Sequence, residues 1–542
     1  MTNGSHRSNA PLAADEPITP SSPLLDASAS ELFIRNVSMK YVVMAIEVCI
    51  GLIMLPFNIS HLGQSAYGTW MLAASVPAYF SILDLGYGVA QVKFVAKYRA
   101  TRDWEGLNQI ASTLIVLFTA IGLVVLAFAA AIALNLNSLF NLNSEQATIG
   151  RDVLLIISVH AAIGFPFSVF GGIVNGFQRF HLNGIVAIST SIAVAIANVA
   201  ILLLGFGLVT LVAVTTLIRI SAYIGYRANA YRVFPALSIG LNHFRKARLR
   251  EVTGFSVFIL LIDVANKINY STDIPIVGAF LGATSVAVWT VSQRVSTAAQ
   301  DLTTQVSGAL FPLVVDFATL QETTRLREVF LQGTRLSLAM IIPIGSALIL
   351  LASPLIMAWV GPRFGDSVPI LWILVGAVII RVGNSTATTV LKGAGEHTFL
   401  TIANIIMGIS NVVLSILLIN KIGIIGVALG TIIPLGIVSV FVLFPKACRR
   451  VEISVFSAVL KGVLPAVWPA IPIAIVLVIS SSYVVQSIAV IVLQTILAVL
   501  LYGILFITLA ISPGERNWYL EKLKRAADAT RSRWHREITT AK

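Results

Sequence analysis

Four basic residues lie inside long apolar stretches of this chain: Arg219, Lys267, Arg294 and Arg381. An ionisable side chain at membrane depth costs about 2.5–3.5 kcal/mol and faces a bundle interior or an aqueous cavity. A guanidinium or ammonium group there calls for phosphate, carboxylate or another acidic partner. Two stripes surround two of the four. Asp263, Asn266, Lys267, Tyr270 and Asp273 recur every three or four residues, as do Thr290, Arg294, Thr297, Asp301 and Thr304, so each set shares one helical face. One chemistry for them is an internal ion-pair network, with Asp263 and Lys267 at i,i+4. The other, preferred here, is a hydrophilic cavity lined by Arg219, Lys267, Arg294 and Arg381 that holds an anionic head group. Glu47, Asp263 and Asp301 are the candidates for ion coupling, since a carboxyl inside a span can titrate during a transport cycle. Glu47 could equally pair with a base and stay ionised. Arg335 and Lys461, near the ends of their runs, are expected to snorkel.

No catalytic or nucleotide-binding signature accompanies these groups. G-x-x-x-x-G-K-[ST], H-E-x-x-H, C-x-x-C and G-x-S-x-G are all absent. The seven histidines have no metal-ligand spacing, and His160 reads as a hydrogen-bonded interior residue. Cys49 and Cys448 imply no disulfide framework. The expectation is a protein that is not an enzyme, without cofactor or metal, driven by an ion gradient, the membrane potential or downstream use of its substrate.

The elements that must position these residues follow from composition. Of 542 residues 57% are hydrophobic and only 11% charged, less than half the roughly 25% charged of a soluble domain. That excludes a soluble or disordered chain and leaves a polytopic membrane protein, with apolar residues enough for about fourteen helices of roughly 20 residues. The apolar runs fall at about 39–59, 66–90, 106–134, 152–176, 183–205, 207–229, 253–279, 284–314, 329–352, 367–390, 398–420, 422–445, 455–480 and 486–511. Residues 1–30 are a polar, proline-containing tail. Residues 512–542 form a basic tail with Leu520, Leu523, Ala527 and Trp534 at helical spacing, suited to anionic lipid. With the N-terminus inside, 28 of the 37 basic residues fall in inner segments, while Arg151, Arg363 and Lys421 are the outer ones. The formal charge of +13 is therefore read as topology, not nucleic-acid binding, with both termini cytoplasmic.

A weak internal repeat organises the runs. Leu62-Gly63 before Trp70 matches Leu281-Gly282 before Trp289 at an offset of 219, and two further pairs have offsets of 217 and 216. Six helices per half keep the two halves in the same orientation, related by an axis along the membrane normal. The expected fold class is thus an all-α polytopic membrane protein with about 14 transmembrane helices. Two six-helix lobes, at 31–230 and 253–446, are joined by a cytoplasmic linker at 231–252, and two extra C-terminal helices follow at 453–511.

The stretches Leu62-Gly63-Gln64-Ser65-Ala66-Tyr67-Gly68-Thr69-Trp70 and Leu83-Asp84-Leu85-Gly86-Tyr87-Gly88-Val89-Ala90 resemble the second helix of polysaccharide transporters. These belong to the multidrug/oligosaccharidyl-lipid/polysaccharide flippase superfamily. Pro235–Ile239, with Leu249-Arg250-Glu251-Val252-Thr253-Gly254-Phe255-Ser256, is similar to that family's central loop and entry to helix seven. The resemblance covers about residues 33–510. It implies alternating access that carries an undecaprenyl-pyrophosphate-linked oligosaccharide across the bacterial inner membrane for exopolysaccharide, capsule or O-antigen assembly. It also implies cationic cavity residues facing the pyrophosphate, a role carried onto Arg219, Lys267, Arg294 and Arg381. Expected partners are that lipid-linked substrate, membrane lipids, and the pathway's polymerase and glycosyltransferases, with the chain itself a monomer. The alternatives are a cation-coupled multidrug exporter, for which an acidic cavity is expected, and a non-transporting scaffold of a glycan assembly complex.

Overall fold

Inside a bilayer no water satisfies the peptide groups, so each apolar run must bond to itself as helix. The computed structural model describes residues 27–80, 87–253, 264, 267, 269, 271–303, 305–483, 487–511 and 516. Asp84, Asp263, Asn266, Tyr270, Thr304 and most of both tails lie outside these described residues. Among the described residues the chain is helical throughout its length, with no strand. The principal helices of the first half are α1 (Ala27–Phe80), α2 (Tyr87–Thr101), α3 (Trp104–Leu134), α4 (Ser144–Gly176), α5 (Phe180–Leu203) and α6 (Leu208–Val233). Those that follow are α7 (Asp273–Thr303), α8 (Gln305–Thr319), α9 (Thr323–Leu350), α10 (Ser367–Gly383), α11 (Ser385–Gly393), α12 (His397–Ile422), α13 (Ile424–Ile437), α14 (Ala470–Tyr483) and α15 (Ile488–Leu505).

Twelve helical segments among the described residues are long and apolar enough to cross a membrane. Ser38–Pro77 joins the first apolar run to the start of the second, and Asp273–Thr303 joins the end of the seventh to the eighth. Both are broken at a glycine with almost the same left-handed backbone, Gly63 at φ 81° and Gly282 at φ 79°. A side chain is strained there, so glycine lets the chain turn back without a loop, and the two turns are 219 residues apart. Polar caps set other boundaries. The Asp103 carboxylate accepts from the Gly106 N–H at 2.8 Å, and Asn143 and Gln146 form a reciprocal capping box at the start of α4.

Apolar side chains cover the outside as well as the inside: Leu134, Ile224 and Phe441 are 70–80% exposed. That is the surface a hydrocarbon solvent requires. The interior core common to both halves gathers at the end of the bundle carrying Gly63 and Gly282. It joins Leu55, Tyr67 and Leu72 of α1 and Leu211 of α6 to Val286 and Trp289 of α7 and Leu371 of α10. Helices α1 and α7 meet closely there, and a Cβ on Gly68 would overlap the Ala283 carbonyl. Three hydrogen bonds cross the same seam: Asn141 N–H to Gly278 O (3.3 Å), Gln64 Nε2 to Thr284 O (3.5 Å) and Trp359 Nε1 to Leu52 O (3.0 Å).

At the opposite end the segment after α6 is strapped to the first half. The Asn108 carboxamide donates to Ala236 O and accepts from Ser238 N–H, at 3.1 and 3.0 Å. Ser112 and Thr113 accept from the Gly240 and Arg245 N–H groups. The strap ends in a polar clasp, where the Glu251 carboxylate accepts from Lys97 (2.9 Å), Tyr98 (2.9 Å) and Arg248 (3.2 Å).

Candidate functional site: a cavity between the two halves

Below the shared core lies a cavity of about 610 Å³, walled by α1, α4, α5, α6 and α7. Arg219 and Arg294 both line it. Arg219 is exposed into it, one turn along α6 from the buried Thr215 and Thr216. Arg294 reaches from α7 toward α1, where its Nη2 donates to Glu47 O at 3.3 Å. The absence of a side chain at Gly51 makes that reach possible, because a Cβ there would overlap the guanidinium. His160 of α4 also lines the cavity; its Nε2 is 2.9 Å from the Tyr223 hydroxyl and the two rings stack at 5.6 Å. His160 is thus hydrogen-bonded, as its isolation in an apolar run suggests, and has a face on the cavity besides.

The other expected site residues fall elsewhere. Lys267 and Arg381 are not among the described residues that line this cavity, so it brings together two of the four expected cations. Arg381, on α10, is instead engaged by α7: its Nη1 donates to Gln300 Oε1 and it lies within electrostatic reach of Asp273. Glu47 is exposed, and it is its backbone carbonyl that meets Arg294. Asp301 is half-buried, two turns beyond Arg294, and feels that charge without lining the cavity. Asp263 lies outside the described residues.

Three polar features were not singled out from sequence. Asn58 and Asn198, each 5% exposed, line the cavity, and neither Oδ1 has a hydrogen-bond partner among the described residues. Each is a carboxamide within an apolar run, which is the signal the sequence offers for it. Asp273, one member of a polar stripe, is buried at the start of α7 and accepts from the Thr431 hydroxyl at 3.2 Å. Thr431 accepts in turn from Asn411 Nδ2 at 3.3 Å, and Ser415 lies one turn along α12 within 3.5 Å of the Asn411 carboxamide oxygen. No acidic side chain is among the described residues that line the cavity.

The arrangement suits an anion: two guanidinium groups, neutral hydroxyls and amides, and an apolar wall from Met54, Trp70 and Met71. Known proteins agree with that picture at the level of fold and family. The chain is 23% identical over 415 residues to the probable flippase AglR of Haloferax volcanii, covering 74% of this chain and 81% of that protein. It is 23% identical over 345 residues to the succinoglycan biosynthesis transport protein ExoT of Rhizobium meliloti, covering 62% and 65%. Among solved structures, the lipid II flippase MurJ in an inward closed conformation superposes with a TM-score of 0.65 at 16% identity, over 87% of this chain and 98% of that one. An inward-facing multidrug resistance transporter of the MATE family gives 0.55 at 18% identity, over 75% and 98%. Residues 33–318, more than half of the chain, match the family model described as polysaccharide biosynthesis protein. The chain therefore belongs to the polysaccharide biosynthesis protein family, the polysaccharide transporters of the multidrug/oligosaccharidyl-lipid/polysaccharide superfamily.

Proposed function

We propose that this membrane transporter flips an undecaprenyl-pyrophosphate-linked oligosaccharide from the inner to the outer leaflet of the bacterial inner membrane, by alternating access of the cavity. The observation that carries the reading is the lining itself: Arg219 and Arg294 present two cations to one cavity, and no carboxylate is among the described residues that line it. A pyrophosphate is a bidentate acceptor for guanidinium groups. A cationic drug would meet repulsion, so the lining disfavours the multidrug alternative although the fold is shared with such exporters. A non-transporting scaffold has no use for cations facing a void within the bundle.

The two-lobe arrangement belongs to the same proposal. It is supported by the matched turns at Gly63 and Gly282 and by the seam that crosses from one half to the other toward that end, below which the bond from Arg294 to Glu47 O also joins the halves. Parting that seam would open the cavity to the outer face. With both termini cytoplasmic and the chain acting as a monomer, the Gly63 end faces outward, where the polymerase would receive the glycan that glycosyltransferases assemble inside.

Arg219→Ala and Arg294→Ala each remove a charge-assisted hydrogen bond worth about 1.5–3 kcal/mol. Each variant, at wild-type abundance in the membrane, is expected to lower polysaccharide export roughly tenfold or more. Export at the wild-type level in both variants would overturn the reading.

A further inference from the structure

The cavity is layered. The first arm of α1 climbs toward Gly63, and Asn58 lies seven residues, about 10 Å, above Gly51, the point where Arg294 crosses. Helix α6 descends from the same end, and Thr215 and Thr216 stand one turn above Arg219. The second arm of α7 also descends, with Thr290 one turn above Arg294. Asn198 lies on ascending α5, near its upper end at Leu203. Four helices running in both directions therefore agree: the upper part of the cavity is lined by neutral amides and hydroxyls, while both guanidinium groups stand lower, with Gln293 and Thr297 beside Arg294.

The upper layer has a chemical demand of its own. Asn58 Oδ1 and Asn198 Oδ1 are acceptors, buried and without a donor among the described residues. A phosphate cannot satisfy them, because a phosphate oxygen is itself an acceptor. A hydroxyl group can. We propose that the upper layer is a sugar subsite, in which Asn58 and Asn198 accept from hydroxyls of the first sugar ring while Thr215, Thr216 and Thr290 supply further donors and acceptors. The edge-to-face pair Tyr67 and Trp70, both on the cavity wall, gives that ring an aromatic neighbour. This rests on the proposed flippase reading and adds a polarity to it: the substrate enters head first, sugar toward the Gly63 end, pyrophosphate at Arg219 and Arg294 behind it. Asn58 and Asn198 are then specificity residues for the sugar, and the arginines recognise what every lipid-pyrophosphate shares.

Binding of two probes to the purified full chain separates the layers, read by the fluorescence of the protein's tryptophans, of which Trp70 lines the cavity. The probes are undecaprenyl pyrophosphate and undecaprenyl-pyrophosphoryl-galactose. The wild type is expected to hold the sugar-bearing lipid roughly tenfold more tightly, as two or more added hydrogen bonds would allow. Asn58→Leu with Asn198→Leu should abolish that preference and leave affinity for undecaprenyl pyrophosphate unchanged. Since the change removes two orphaned acceptors, the variant should also retain its thermal midpoint. Arg294→Ala should weaken both probes by the same factor. Equal affinities in the wild type, or a preference that survives the double Leu variant, would overturn the sugar subsite while leaving the flippase reading intact. Failure of the wild type to bind either lipid, or binding of undecaprenyl pyrophosphate indifferent to Arg294→Ala, would overturn the flippase reading and the subsite with it.

Discussion

Thr431 stands at the centre of a buried network in the second half, donating to Asp273 and accepting from Asn411. Removing its hydroxyl in Thr431→Val keeps the volume but strips one group of its donor and another of its acceptor. Orphaning a buried polar group costs about 1–3 kcal/mol, more for a charged one. A clearly lowered unfolding temperature in detergent is expected, and an unchanged one would mean that the three side chains do not act together. The same residues show what a sequence conveys at this scale. That Arg219, Arg294 and Arg381 must be accommodated inside the protein is evident from their apolar surroundings. Which of them share a cavity is not, because that depends on the direction in which each side chain leaves its helix. Arg294 finds space over Gly51, and Arg381 finds Gln300 farther along α7.

Helix α3 carries Asn108, Ser112 and Thr113 in its first three turns, and the strap explains them. Its anchor is Glu251. Burial pushes that carboxyl up, but hydrogen bonds from Lys97, Tyr98 and Arg248 outweigh it and hold the group below its ordinary value of 4.5. Burial and the bond to Glu251 in turn raise the Tyr98 hydroxyl to about 12, so it remains a donor at neutral pH. A carboxyl depressed in the folded state contributes stability above its unfolded value and loses it as pH falls through the folded one. Hydrogen exchange at Ser238, Gly240 and Arg245, corrected for intrinsic rates, should therefore show constant protection above pH 5 and loss of protection below 4.5. Glu251→Gln should remove that pH dependence. Protection that is independent of pH in the wild type would show that the clasp does not secure the strap. The helices themselves were legible as apolar runs, since a membrane span is specified by length and hydropathy alone. The strap was not, because the spacing of Asn108, Ser112 and Thr113 says that one face is polar but not that a backbone 128 to 132 residues away will bond to it.

Over the whole molecule, the two halves are held at the Gly63 end by apolar packing, and at Gly68 the backbones of α1 and α7 come close. Gly68→Val would drive a side chain into the Ala283 carbonyl and force α1 off α7. The seam should then stay parted, and a cysteine introduced at Asn198 should become reactive to a membrane-impermeant maleimide added outside. Unchanged labelling would mean that this contact does not govern access. The matching turns at Gly63 and Gly282 are visible in sequence as Leu-Gly followed by Trp, because a left-handed turn admits little but glycine. The central claim is movement of a lipid-linked glycan through the cationic cavity. Its most direct test is transfer between leaflets in proteoliposomes holding the purified chain and undecaprenyl-pyrophosphate-linked oligosaccharide extracted from the native membrane. The account predicts that wild-type protein exposes inner-leaflet glycan to an external lectin, and that Arg219→Ala with Arg294→Ala slows this to the rate of empty vesicles. Glycan that crosses equally fast with both arginines removed, or does not cross with the wild type, would contradict it.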